Sequence, residues 1–280
     1  MNTQISQKGG QVLLIVIMVV ATLLTVVLSL VFKSQTETQI THLEEQNQKA
    51  LAAAEAAIDT ALKQQSNISF GSNSNFLTNF QGYTGQATLS TNIKNTFVSP
   101  LLQPDEQYTY YLVTYDPAAA PASRLGSDYY TAGFTIYFGT TASTTCASRN
   151  TPALELTYIS ANPSAPPAYT VTKRLAEPCI TGKIVGSPDI SVTSLANSPE
   201  KVESISYYFK TSSLTAPANT KLVIIRPLFS STKIGVIGTN LKPQGQYVTS
   251  SAQTPDGIEK KVQLFQSFPQ IPAEFFLTSF

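Results

Sequence analysis

The chain has 280 residues, of which 42% are apolar, 10% aromatic and only 12% charged, and its net charge is +1. So sparse and balanced a charge leaves no broad basic field for nucleic acid or an acidic membrane surface. The two cysteines stand far from the single histidine, His42, and form no Cys-x-x-Cys pair, which excludes zinc and thiol chemistry of the usual patterns.

Neither glycine nor proline occurs between residues 11 and 70. Residues 11–32 (QVLLIVIMVVATLLTVVLSLVF) are almost wholly apolar and carry no charge. At about 1.5 Å per residue this run reaches ~33 Å as a helix, enough for a hydrocarbon core of ~30 Å. Residues 33–64 continue without a breaker and are rich in Ala, Leu, Glu, Gln and Lys, all good helix formers. The pattern predicts one helix over 11–64, membrane-spanning over 11–32 and amphipathic over 33–64. In the second half Ile40, Leu43, Ala50, Leu51, Ala54, Ile58, Ala61 and Leu62 recur mostly at steps of three and four. They predict a stripe laid against the chain's own globular domain, with Ala52, Ala53, Ala54, Ala56 and Ala57 allowing close backbone approach. Packing against copies of the same helix is compatible with that stripe. A cleaved secretory signal competes for the apolar run, but it needs a core of about 7–15 residues and a small-x-small site. Here the run is longer and no Ala-x-Ala follows.

Beyond residue 66 the composition shifts to Ser, Thr, Asn, Gly and Pro with frequent Tyr and Phe. Residues 65–100 read as a polar connection holding at most a short helix or strand. Strands are predicted over 107–115, 129–138, 154–159 and 168–174 from β-branched and aromatic runs between turn residues. A turn-rich stretch over 181–200 precedes a second series over 202–210, 221–229, 233–238, 246–250 and 258–268. In the last of these Val262, Leu264 and Phe268 are expected on one face. The reading is an α+β chain: a long N-terminal helix, then a mainly antiparallel β ectodomain in one or two units, 65–185 and 186–280. Pro269 and Pro272 stop the last strand, and Phe275, Phe276 and Phe280 are expected to pin the tail to the sheet.

Cys146 and Cys179, with 32 residues between them, fit a single disulfide outside the cytoplasm. Closing such a loop contributes on the order of 3–4 kcal/mol; two unrelated buried thiols are the alternative. No Gly-x-Ser-x-Gly elbow, phosphate loop or Asp-x-Asp-x-Asp-Gly calcium loop occurs. Asp105 and Glu106 sit in a Pro-rich turn, where solvation explains them better than glycoside chemistry. His42 reads as a surface or packing residue. No catalytic residue, cofactor or metal is expected.

Lys8-Gly9-Gly10 followed by the apolar run from Gln11 resembles the leader of the type IV pilin family. The stretch Ala50-Leu51-Ala52-Ala53-Ala54-Glu55-Ala56-Ala57-Ile58 is similar to a segment of PilX-type minor pilins and K-type pseudopilins. The resemblance covers about residues 8–62, and the chain end, SFPQIPAEFFLTSF, resembles the close of some pilin-like proteins. It implies a leader over 1–10, cleavage by prepilin peptidase after Gly10, and a mature chain of 270 residues beginning at Gln11 with a methylated amine. Cleavage after Gly9 is the other register and would put Leu14 at the fifth mature position. With cleavage after Gly10 the fifth position is Ile15, where major pilins carry a glutamate. That absence is common among minor and tip subunits of the family. The resemblance therefore implies a structural subunit of a pilus or related filament, acting in assembly, at the tip or in adhesion. Its partners would be other subunits through residues 11–64, a membrane crossed once, and prepilin peptidase. The C-terminal domain would be extracytoplasmic, at the cell surface or on the pilus. A membrane-anchored surface β-domain protein that forms no filaments, such as an adhesin or receptor-like module, is the rival reading; a tethered cell-wall enzyme is a third.

Overall fold

A computed structural model describes residues 9–71, 82–91, 93–140, 151–162, 168–178, 189–195 and 197–272. Residues 1–8 of the leader, Cys146, Cys179 and the aromatic tail with Phe275, Phe276 and Phe280 lie outside the described residues. The fold is α+β: one long apolar N-terminal helix followed by several antiparallel sheets.

Helix α1 (Gly9–Gln64) is a single element of 56 residues, ~84 Å long at 1.5 Å per residue. It already includes Gly9 and Gly10, ahead of the expected start at residue 11, even though each glycine costs about 1 kcal/mol in a helix. It ends in a Schellman arrangement. Gln65 takes the left-handed position at φ 49°, and Ser66 N–H donates to Ala61 O at 3.3 Å.

The strands that follow are β1 (Ile68–Phe70), β2 (Thr84–Ser90), β3 (Lys94–Val98), β4 (Tyr108–Tyr111), β5 (Phe134–Phe138), β6 (Ala153–Ala161) and β7 (Tyr169–Ala176). After them come β8 (Val192–Ser194), β9 (Glu200–Val202), β10 (Ile205–Tyr207), β11 (Phe209–Thr211), β12 (Thr220–Leu228), β13 (Gly235–Leu241), β14 (Gly245–Gln253) and β15 (Glu259–Ser267). The segment 65–100, read from sequence as a connection, carries β1, β2 and β3. Contacts divide the chain into a first unit, residues 1–88 and 249–263, and a second, 89–248 and 264–280.

The first unit joins α1 to parts of a sheet ordered β1–β2–β14–β15. Ala50, Ala53, Ala54, Ala57 and Ala61 on the helix are fully buried, with Ile58 beside them. On the sheet Phe70, Ala87, Ser250 and Ala252 are the withdrawn side chains. α1 contacts β1, and Gln46 Nε2 donates to the Asp256 carboxylate in the β14–β15 turn. That turn is Pro255-Asp256-Gly257, with Gly257 at φ 85° and the Thr254 hydroxyl accepting from Ile258 N–H at 3.0 Å.

The sequence-derived stripe needs correction here. Ile40, Leu43 and Leu51 are 56%, 49% and 41% exposed. Alanines, not leucines, make the buried seam, because a methyl group lets helix and sheet approach closely. Leu51 projects away from that seam, and Ile40 and Leu43 precede its first buried residue, Ala50.

The second unit is a sandwich. Sheet β4–β12–β6–β7 and sheet β3–β13–β5–β11–β8 contribute to one apolar cluster, with Tyr110, Leu156, Tyr158 and Ile225 from the first and Phe134, Ile136, Phe138, Phe209 and Val236 from the second. A hairpin of β9 and β10 adds a smaller cluster of Tyr137, Val202 and Tyr207. β6 and β7 precede residue 186 and β12 follows it, yet they share a sheet. The expected separation into 65–185 and 186–280 therefore does not describe the strand pairing. The described part of the stretch that suggested a break, 189–195 and 197–200, carries β8, which pairs with β11 in the same sandwich. The predicted strand over 202–210 is instead broken into the end of β9, all of β10 and the start of β11, with Glu203 at φ 55° in the turn between β9 and β10. Pro227 is tolerated in β12 because β4 pairs only with residues 222–225, so its missing N–H interrupts no bond on that side.

Candidate functional site: the exposed apolar helix

Between residues 13 and 32 every side chain of α1 is exposed, the large apolar ones by 48% (Val31) to 64% (Met18). The chain thus presents to solvent a surface that its own fold never covers. Leaving a Leu, Ile, Val or Phe in water forfeits about 1.5–3 kcal/mol each, so the segment requires an apolar environment. The helix is long and apolar enough to cross a membrane.

The few polar groups in this segment do not oppose that. Thr22 Oγ1 donates to Val19 O at 2.9 Å and Thr25 Oγ1 to Thr22 O at 2.8 Å, so both hydroxyls are satisfied within the helix. Thr22, Thr25 and Ser29 are spaced by three and four and share one side of it. Charge begins only at Lys33, which pairs with Glu37 at 3.8 Å. Glu45–Lys49 at 2.6 Å and Asp59–Lys63 at 2.7 Å repeat the i,i+4 pattern on the exposed side. The Lys49 partnership holds the Glu45 carboxyl below its ordinary range, chiefly by the hydrogen bond.

The expected processing residues fall at the start of this element. Gly9, Gly10 and Gln11, which flank both alternative cleavage positions, are helical. Ile15, fifth after Gly10, is 59% exposed. His42 is exposed on the polar half. Cys146 and Cys179 are not brought together or apart by the described residues, since both lie outside them.

Most carboxylates of the β region serve local structure. Glu106 Oε2 accepts from Gln103 N–H at 2.7 Å while Glu106 N–H donates to Gln103 O at 3.1 Å, which makes the Asp105-Glu106 pair part of a turn. Glu200 accepts from Tyr137 OH at 2.9 Å and pairs with Lys210. No group of three or more His, Cys, Asp or Glu side chains able to hold a metal occurs among the described residues. What the sequence reading missed on the helix is the outward set Ile40, Leu43 and Leu51; only knowing where the domain seam begins separates it from the buried alanines.

Comparison with known proteins gives no match: no family model, no curated protein and no solved structure is similar to the chain.

Proposed function

We propose that the chain is a subunit of a type IV pilus or related filament, of the minor pilin or pseudopilin kind. One observation carries the reading: a continuous helix that is apolar and exposed over residues 13–32 and whose second half is seamed to a β domain. Such a rod holds the domain outside a membrane while its apolar half lies in lipid. The same surface then packs among equivalent helices once lipid is left behind, because both environments reward burial of the same side chains. The lack of a carboxylate at Ile15 removes a charge that is costly to bury unpaired and suits a subunit present in few copies. The resemblance of Lys8-Gly9-Gly10 to a prepilin leader assigns processing after Gly10 and a methylated Gln11 amine. A role at the tip or in adhesion belongs to the β domain.

The rival is a surface β-domain protein anchored by the same helix that never assembles. Mass spectrometry of the N-terminus from cells with and without prepilin peptidase separates the two. The pilin reading expects a chain beginning with methylated Gln11 only when the peptidase is present. Retention of Met1 in both strains sinks it.

A further inference from the structure

We infer that the outer face of the first unit's sheet is a binding site for a neutral saccharide. Strand alternation builds it. Ser69 stands opposite Gln86 and Phe70 opposite Gly85 in the β1–β2 register, and Phe70 and Ala87 are buried. Ser69, Thr84 and Gln86 therefore point the other way, away from the alanine seam. On β14 Ser251 and Gln253 alternate with buried Ser250, Ala252 and Thr254. Glu259 adds its carboxylate from β15, and the backbone of Gly85 lines the same hollow, a depression of about 270 Å³.

The six side chains present three hydroxyls, two carboxamides and one carboxylate, and none has a hydrogen-bond partner within the described protein. Further along the same face the situation differs, since Thr88 Oγ1 donates to Thr249 O at 3.4 Å. Glu259 is distinctive as well. Of the carboxylates borne on strands among the described residues, Glu155 and Glu200 are ion-paired, and Glu259 has no protein partner.

That donor and acceptor set selects among ligand classes. An anion meets no cation in the hollow and one carboxylate, so it is repelled. An apolar molecule finds no large apolar side chain to cover it. A divalent cation would have a single charged ligand, too little to strip its water. A sugar ring offers adjacent hydroxyls, each both donor and acceptor. A carboxamide can donate to one and accept from its neighbour, and a carboxylate can accept from two. The volume lies just under the roughly 300–1,000 Å³ of drug-sized sites, which suits one ring. With hydrogen bonds and no stacking aromatic among its walls, affinity in about the millimolar range is expected. The inference stands whether or not the chain enters a filament.

The test is saturation-transfer NMR on the full chain in a detergent without a sugar headgroup, using glucose, galactose, mannose and N-acetylglucosamine as probes. At least one should receive transfer. The Gln86→Ala/Gln253→Ala variant should lose it, and Glu259→Ala should weaken binding about tenfold or more. These exposed side chains make no hydrogen bond to protein, so both variants should keep the unchanged circular dichroism and melting temperature that certify folding. Tyr169→Ala, in the other unit, should bind as the parent does. Absence of transfer from all four sugars, or equal transfer to the parent and the double variant, overturns the proposal.

Discussion

Arg226 Nη2 donates to Glu155 Oε2 at 3.0 Å, and the two residues are direct cross-strand partners of β12 and β6. Their side chains are only 18% and 10% exposed, and Lys173 Nζ lies 4.0 Å from the other carboxylate oxygen. Removing the carboxylate leaves a guanidinium in a poorly solvated place. Glu155→Ala is expected to cost about 3–5 kcal/mol in urea denaturation. Glu155→Leu combined with Arg226→Met should recover most of that loss, since the charge to be solvated is gone as well.

Asp128 predicts a pH dependence. Its carboxylate accepts from Thr114 N–H at 3.0 Å, Thr114 Oγ1 at 2.5 Å and Lys242 Nζ at 2.5 Å. Burial pushes its pKa up, but the hydrogen bonds from Lys242 and Thr114 outweigh that and hold it at about 2, below the ordinary 3.8. A depressed folded-state pKa gives stability that is complete above pH ~4 and is lost as pH falls from there through about 2. With the side chain 47% exposed, screening limits the contribution to about 1 kcal/mol or less. Asp128→Asn should flatten the corresponding part of a stability curve measured between pH 2 and 5, and an unchanged slope would contradict the assignment.

The helix seam can be probed from both sides. Ala57 has no exposed surface and Leu51 is 41% exposed. Ala57→Leu should destabilise the first unit by about 1–3 kcal/mol through overpacking. Leu51→Ala should change stability by no more than about 0.5 kcal/mol. Thermal unfolding of the full chain in micelles reads both, and the reverse order would put the sheet on the other side of the helix.

Gly139 ends β5 with φ 74°, and a Cβ built there would lie 2.6 Å from the Phe209 ring. Gly139→Ala must bear both left-handed strain and that clash, at a cost of about 1–3 kcal/mol. Calorimetry should show the loss. Gly257→Ala shares the sign of φ (85°) but its Cβ would come no closer than 4.0 Å to any neighbour, so its penalty should be the smaller.

The helix was legible because a long stretch without glycine or proline, oily and then polar, admits few other structures. The β-rich character was legible too, from Tyr, Val, Ile and Thr between turn residues. Pairing was not. β1 has only three residues and β2 is made largely of Ser, Thr, Gly and Gln; β2 is held between β1 and β14, a strand far along the chain. The same distance hides the saccharide hollow, since nothing near Gln86 announces Gln253 or Glu259. The pattern over 258–268 did not hold as a single face: Leu264 in β15 is 45% exposed, whereas Phe268, just beyond the end of the strand, is buried.

The alanine seam of α1 has a mechanical corollary. Ala50, Ala53, Ala54, Ala57 and Ala61 recur about once per turn, so sliding the rod by one turn, ~5.4 Å, would present a row of methyl groups to the sheet again. Such a track is nearly degenerate in register. Ile58, the one bulky member, the Gln46–Asp256 contact and the three-residue link from Gln64 into β1 are the features that tell one notch from the next. A pull along the rod would therefore be resisted at those three points rather than along the methyl row.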